Sequence, residues 1–102
     1  MSHDRIIALF TLKPGVEAAA YEAWAQARDM PTVRGLPSIA GFEVFAATGV
    51  LGEGTPPYDY VEIIDVADMA AFGADVASAT MQAIAAEFAA MADVVFLTTR
   101  RL

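Results

Sequence analysis

Arg5 to Leu12, RIIALFTL, is an almost unbroken apolar run that ends at Lys13-Pro14-Gly15. A run of this length, stopped by Pro and Gly, reads as a β-strand. Because it is continuous rather than alternating, it reads as a strand covered on both faces. Working outward, Val16 to Arg28 reads as a helix, and Ile39 to Ala46 and Tyr58 to Asp65 as two further strands. Asp68 to Met91 is helical and Val94 to Thr99 returns as a last strand. The order βαββαβ in 102 residues predicts an α+β fold: a ferredoxin-like sandwich with a four-stranded antiparallel sheet.

Composition sharpens the prediction. The chain is 57% hydrophobic, and a domain of this size buries only roughly 60–65% of the surface its extended chain would expose. Helices on one side cannot cover both faces of a small sheet. A second copy of the chain is the economical cover, so a homodimer is expected. Length predicts one domain over residues 1–102. Charges interrupt every apolar stretch before it reaches the ~20 residues of a membrane span, and MSHDRIIALF has no signal-peptide pattern. The absence of Cys excludes disulfides, thiolate metal sites and Cys nucleophiles, and agrees with a cytoplasmic setting. A net charge of −7 argues against nucleic acid and anionic membrane as partners.

Individual segments narrow the chemistry. Tyr21, Trp24 and Arg28 share one helix face, with Trp24 read either as a core anchor or as an aromatic wall of a ligand pocket. Met30 to Pro37 reads as a connecting loop, where Arg34 is a candidate for greeting an anion or a solvated loop residue. Thr48 to Pro57 carries Gly49, Gly52 and Gly54 but lacks the Lys and Ser/Thr of a phosphate loop and leads into a strand, so it is read as a flap. Asp68 and Ser78 or Thr80 are candidate helix caps. Met69, Phe72 and Val76 form one apolar stripe, and Met81, Ile84, Phe88 and Met91 another.

Short segments of the chain resemble the stress-responsive dimeric α+β barrel (Dabb) proteins. These are the opening strand with its Lys13-Pro14-Gly15-Val16 exit, Leu36-Pro37-Ser38-Ile39-Ala40-Gly41-Phe42-Glu43, and Tyr58-Asp59-Tyr60-Val61-Glu62-Ile63-Ile64-Asp65. Within that group the chain is similar to the RedY-like proteins associated with antibiotic pathways such as prodiginine biosynthesis. The resemblance implies a homodimer whose two sheets face each other as a barrel, and a pocket between sheet and helices. Plant polyketide cyclases of this fold use a first-strand His, a Tyr opening the third strand, and a His after the first part of the second helical region. Here Tyr58 matches the Tyr, Arg5 stands at the first His, and Asp75 to Ser78 supplies no His. Cyclase activity therefore does not carry over unchanged.

Little ready-made catalysis is left. His3 stands with Asp4 but without enough further ligands for a metal, so no metal is expected. Ser78 and Thr80 lack a His–Asp pair to activate them. The third strand is the most polar candidate, since alternation places Tyr58, Tyr60 and Glu62 on one face. Glu62 in an apolar cavity would have its pKa raised toward neutrality, which suits proton transfer. Tyr58 and Arg5 would stabilise an oxyanion beside it. Tyr60, Trp24 and Phe72 are the candidate substrate-binding residues. The competing reading pairs Glu62 with an arginine: Arg5, Arg28, Arg100 or Arg101. Two functions follow. One is a cofactor-free cyclase, isomerase or oxygenase acting on an aromatic or polyketide-like metabolite. The other is a non-catalytic module that binds a small apolar ligand or serves in a stress response.

Overall fold

A computed structural model describes residues 4–102, so His3 lies outside the described residues. The order is β1 (Asp4–Leu12), α1 (Ala18–Trp24), a wide π turn (Ala25–Asp29), α2 (Met30–Arg34), β2 (Ile39–Ala46), β3 (Tyr60–Val66), α3 (Met69–Val76), α4 (Ala79–Met91) and β4 (Ala92–Thr98). The strands form one antiparallel sheet in the order β2-β3-β1-β4. This is the ferredoxin-like α+β architecture expected from the element order. No helix among the described residues is long and apolar enough to cross a membrane.

Local chemistry explains the boundaries. Lys13 to Val16 closes a turn with Val16 N–H donating to the Lys13 carbonyl at 3.1 Å. Pro14 presets its first corner, and Gly15 adopts the positive φ of 89° that the second corner needs. Asp68 caps α3 by accepting from Ala70 N–H at 3.0 Å and Ala71 N–H at 3.2 Å. Ser78 caps α4 by accepting from Met81 N–H at 3.2 Å.

Two corrections concern boundaries. The first helical segment does not stop at Arg28, and Met30 to Pro37 is not all loop, because the chain turns helically through to Arg34. Pro31 has no N–H to offer the preceding turn, and there the ladder widens. Met30 N–H bonds the carbonyl of Ala25, five residues back. The third strand begins at Tyr60, which leaves Tyr58 in the loop before it.

The core lies between the sheet and the helices. Phe10, Tyr21, Ala25, Tyr60, Phe88 and Ala92 form one buried cluster. Phe10 stands 4.9 Å from Phe88 and 5.3 Å from Tyr60 between ring centroids. Ile6, Val33, Phe42, Ile64 and Val66 form the second. In α4 the inward stripe buries Ile84 and Phe88, whereas α3 buries no residue fully. The opposite face of the sheet carries no helix. There Ile7, Leu9, Val61 and Ile63 are only half-buried, and Phe45, Val95 and Leu97 are exposed.

Candidate functional site

The alternation of β3 decides what the helices cover. Tyr60, Glu62, Ile64 and Val66 point inward and are buried, while Val61, Ile63 and Asp65 point to the open face. Antiparallel pairing sets Glu62 level with Val44 on β2 and Ala8 on β1, and Ala8 level with Phe96 on β4. Glu62 is thus a carboxylate at the centre of the covered face, only 4% exposed.

A second carboxylate meets it from the helices. Tyr21, Ala25 and Asp29 are the buried residues of α1 and the π turn. In a straight α-helix Asp29 would lie about 80° past Tyr21, since eight residues advance about 800°. The wide turn absorbs one extra residue and brings it back by about 100°, onto the inner face. Without the π turn Asp29 would slide toward the helix flank; with it, Asp29 is 6% exposed.

Asp29 and Glu62 line a cavity of about 300 Å³ whose remaining wall is apolar, including Val33, Ile64, Phe72, Met81 and Ile84. Among the described residues no hydrogen bond or ion pair reaches either carboxylate. The electrostatic consequence is direct. Burial raises the Glu62 pKa to about 8, with the nearby Asp29 charge adding to the effect. Burial also raises Asp29 to about 6. The Tyr21 phenol is pushed well above its usual range by burial first and by Glu62 and Asp29 next. Its hydroxyl is buried without a partner among the described residues. Two carboxylates in one apolar space, spread to either side of neutrality, can serve together as one acid and one base.

The other residues singled out from sequence fall in different places. Phe72 lines the cavity with Glu62. Tyr60 faces the same side but lines a smaller space of about 140 Å³ with Tyr21. Its hydroxyl donates to Glu22 Oε2 at 2.7 Å. Trp24 packs on the aromatic cluster, stacked on Phe88 at 6.2 Å, and donates from Nε1 to Glu87 Oε1 at 2.9 Å. It does not line the large cavity. Tyr58 does not line it either.

Arg5 is a clear correction. It sits opposite Asp65 in the β1–β3 register and donates from Nε to Asp65 Oδ1 at 2.7 Å, on the open face. The sheet itself separates it from Glu62, so it can neither pair with Glu62 nor meet an oxyanion in the cavity. Arg28 is no partner for Glu62 either. It pairs with Glu87 on the outer surface of the helices and, with Trp24, holds that carboxyl well below the usual range. Arg34 donates to the Phe42 carbonyl at 3.0 Å. Asp29 is the site residue that sequence reasoning missed. Its signal was an acid four residues beyond Ala25 and eight beyond Tyr21, two residues before Pro31. Among the described residues no group of His, Asp and Glu is assembled to hold a metal ion.

Fold and site together define a ferredoxin-like α+β protein with a buried acidic pair between sheet and helices. The chain belongs to the family of REDY-like proteins HapK, whose model matches residues 4–102. It is similar to the crystal structure of HapK from Hahella chejuensis, with 35% identity, 97% of this chain and 92% of that chain covered, and a TM-score of 0.81. A dimeric ferredoxin-like protein of unknown function from Thermobifida fusca is 22% identical, with 99% and 93% covered and a TM-score of 0.74. SnoaB, a cofactor-independent oxygenase from Streptomyces nogalater, is 17% identical, with 100% and 97% covered and a TM-score of 0.73. Both of these share the fold. No curated protein matches the chain.

Proposed function

We propose that the cavity binds a small, largely apolar or aromatic metabolite and that Asp29 and Glu62 carry out cofactor-free acid/base chemistry on it. The observation that carries this reading is the pair of unpartnered, buried carboxylates in an otherwise apolar space. Near neutral pH the pair holds one proton, with the protonated form favoured on Glu62 and the ionised form on Asp29. Asp29 then takes a proton from an acidified C–H, while Glu62 delivers its proton to the conjugated heteroatom, a carbonyl oxygen or an imine nitrogen. Return of the proton from Asp29 to a different carbon, with Glu62 taking its own proton back from the heteroatom, completes an isomerisation. In a cyclisation the enol or enamine carbon instead attacks a second carbonyl of the same molecule; that C=O π bond breaks, its oxygen takes the proton held on Asp29, and the enol or enamine returns its proton to Glu62. An oxygenation would additionally consume dioxygen; the SnoaB fold makes that class worth testing.

The same proposal includes a homodimer formed through the open face, where Ile7, Leu9, Val61 and Ile63 would be covered by their counterparts. The Thermobifida fusca protein, described as dimeric, supports it. The setting proposed is the cytoplasm, and the metabolism secondary.

The test is deuterium exchange. The protein is incubated in heavy water with one- and two-ring aromatic ketones and imines, and C–H exchange is followed by NMR. Exchange should follow a bell-shaped pH profile centred near 7, rising as Asp29 ionises and falling as Glu62 does. Glu62→Gln and Asp29→Asn should each suppress it by roughly 100-fold or more. Binding without exchange at any pH would leave the non-catalytic module as the reading to prefer.

A further inference from the structure

The large cavity is one-sided in charge. Asp29 and Glu62 face into it, while among the described residues no Lys, Arg or His lines it. Arg28 is engaged with Glu87, Arg5 with Asp65 and Arg34 with the Phe42 carbonyl, while Arg100 and Arg101 are exposed beyond β4 and do not line the space. The rest of the wall is strongly aromatic. Phe42 from β2, Phe72 from α3, Phe88 from α4 and Phe96 from β4 each contribute a ring. Phe96 is 56% exposed, which marks the solvent side of the space.

These two features select the same ligand chemistry. The faces of aromatic rings attract cations, and more strongly where water is excluded. A buried carboxylate without a counter-charge carries an uncompensated desolvation cost, which an arriving cation relieves. A ligand carboxylate would meet like charge in a medium of low dielectric. A neutral apolar ligand would fill the space but leave both carboxylates unanswered.

We propose that the cavity is built for an organic cation: an apolar body of one or two rings bearing a single protonated nitrogen, as an amine, amidine or iminium. The nitrogen would seat on Asp29 and Glu62, with the body among the four phenylalanines. This rests on the reading of the cavity as a small-molecule site, and it selects nitrogen rather than oxygen as the heteroatom that the acidic pair addresses.

The experiment is calorimetric titration of the whole protein at neutral pH with three molecules of one shape: naphthamidine, naphthamide and naphthoate. Side-chain methyl NMR shifts of Val33, Ile64 and Ile84 locate the binding. Naphthamidine should bind at least about tenfold more tightly than naphthamide, with naphthoate weakest. The double variant Asp29→Asn/Glu62→Gln should erase that order. If naphthamide or naphthoate matches naphthamidine and shifts the same methyls, the cation proposal is overturned while the cavity remains a ligand site. An amidine preference that persists undiminished in the double variant also overturns it. If none of the three moves those methyls, the reading of the cavity as a small-molecule site falls as well.

Discussion

The two faces of the sheet treat charge in opposite ways. On the open face Arg5 and Asp65 stand level across β1 and β3 and pair at 2.7 Å where water still reaches both. On the helix-covered face, three positions along β3, Glu62 is buried with no partner but another acid. Exposed pairs contribute little to stability because water already solvates each partner. A buried unpaired carboxylate opposes folding whenever it is ionised. One face therefore tolerates its charges, whereas the other holds charges that weaken the fold. A purely structural core gains nothing from such an arrangement, which is why the proposed function is placed on it.

The contrast breaks most readily at the open face. Ile63→Asp would place a carboxylate at the centre of the proposed dimer interface, at a cost of several kcal/mol of association. Sedimentation at low micromolar concentration should show a folded monomer near 10.8 kDa in place of a dimer. A variant dimer as tight as the parent would move the interface elsewhere.

The covered face predicts a stabilising substitution. Folded Glu62 keeps its proton up to about pH 8, whereas the unfolded chain releases it near the ordinary carboxyl value of 4.5. Between those values the folded state binds more protons, so stability falls as pH rises. Glu62→Gln cannot ionise and escapes that loss. By pH 8 it should exceed the parent by roughly 3–5 kcal/mol, and the two should converge below pH 4.5. Asp29→Asn should show the same sign over a narrower window, from 3.8 to about 6, with a smaller gain. Urea unfolding at several pH values measures both. A destabilised Glu62→Gln at pH 8 would mean that the carboxylate has a structural partner.

The smallest effect belongs to the outer surface of the helices. Arg28→Ala removes an exposed pair with Glu87, which still accepts from Trp24. The melting temperature should hardly move, and raised salt should not alter that result.

How far the sequence discloses this contrast depends on periodicity. The element order, the Asp68 and Ser78 caps and the α4 stripe are legible because each rests on local chemistry. Glu62 stands out because alternation sets it on the same face of the central strand as Tyr60, between Tyr60 and the apolar Ile64. The face of Arg5 is not legible, because RIIALFTL is apolar at nearly every position and an unbroken run carries no parity. Only the register shows Ile6, Ala8 and Phe10 turning inward and Arg5 outward. Asp29 is hidden for a different reason. Pro31 reads as a helix terminator, and a π turn that rotates the next residues inward leaves no composition signal of its own. Half of the acidic pair is thus readable from strand alternation, and the other half needs the backbone.

The most direct measurement is the titration of Glu62 itself, followed through its side-chain carboxyl carbon by NMR in the parent protein. The account predicts a midpoint near 8, well above the ordinary 4.5, and a downward shift when Asp29 is replaced by Asn. A midpoint near 4.5, unmoved by that replacement, would show that Glu62 is solvated or paired and would contradict the buried acidic pair.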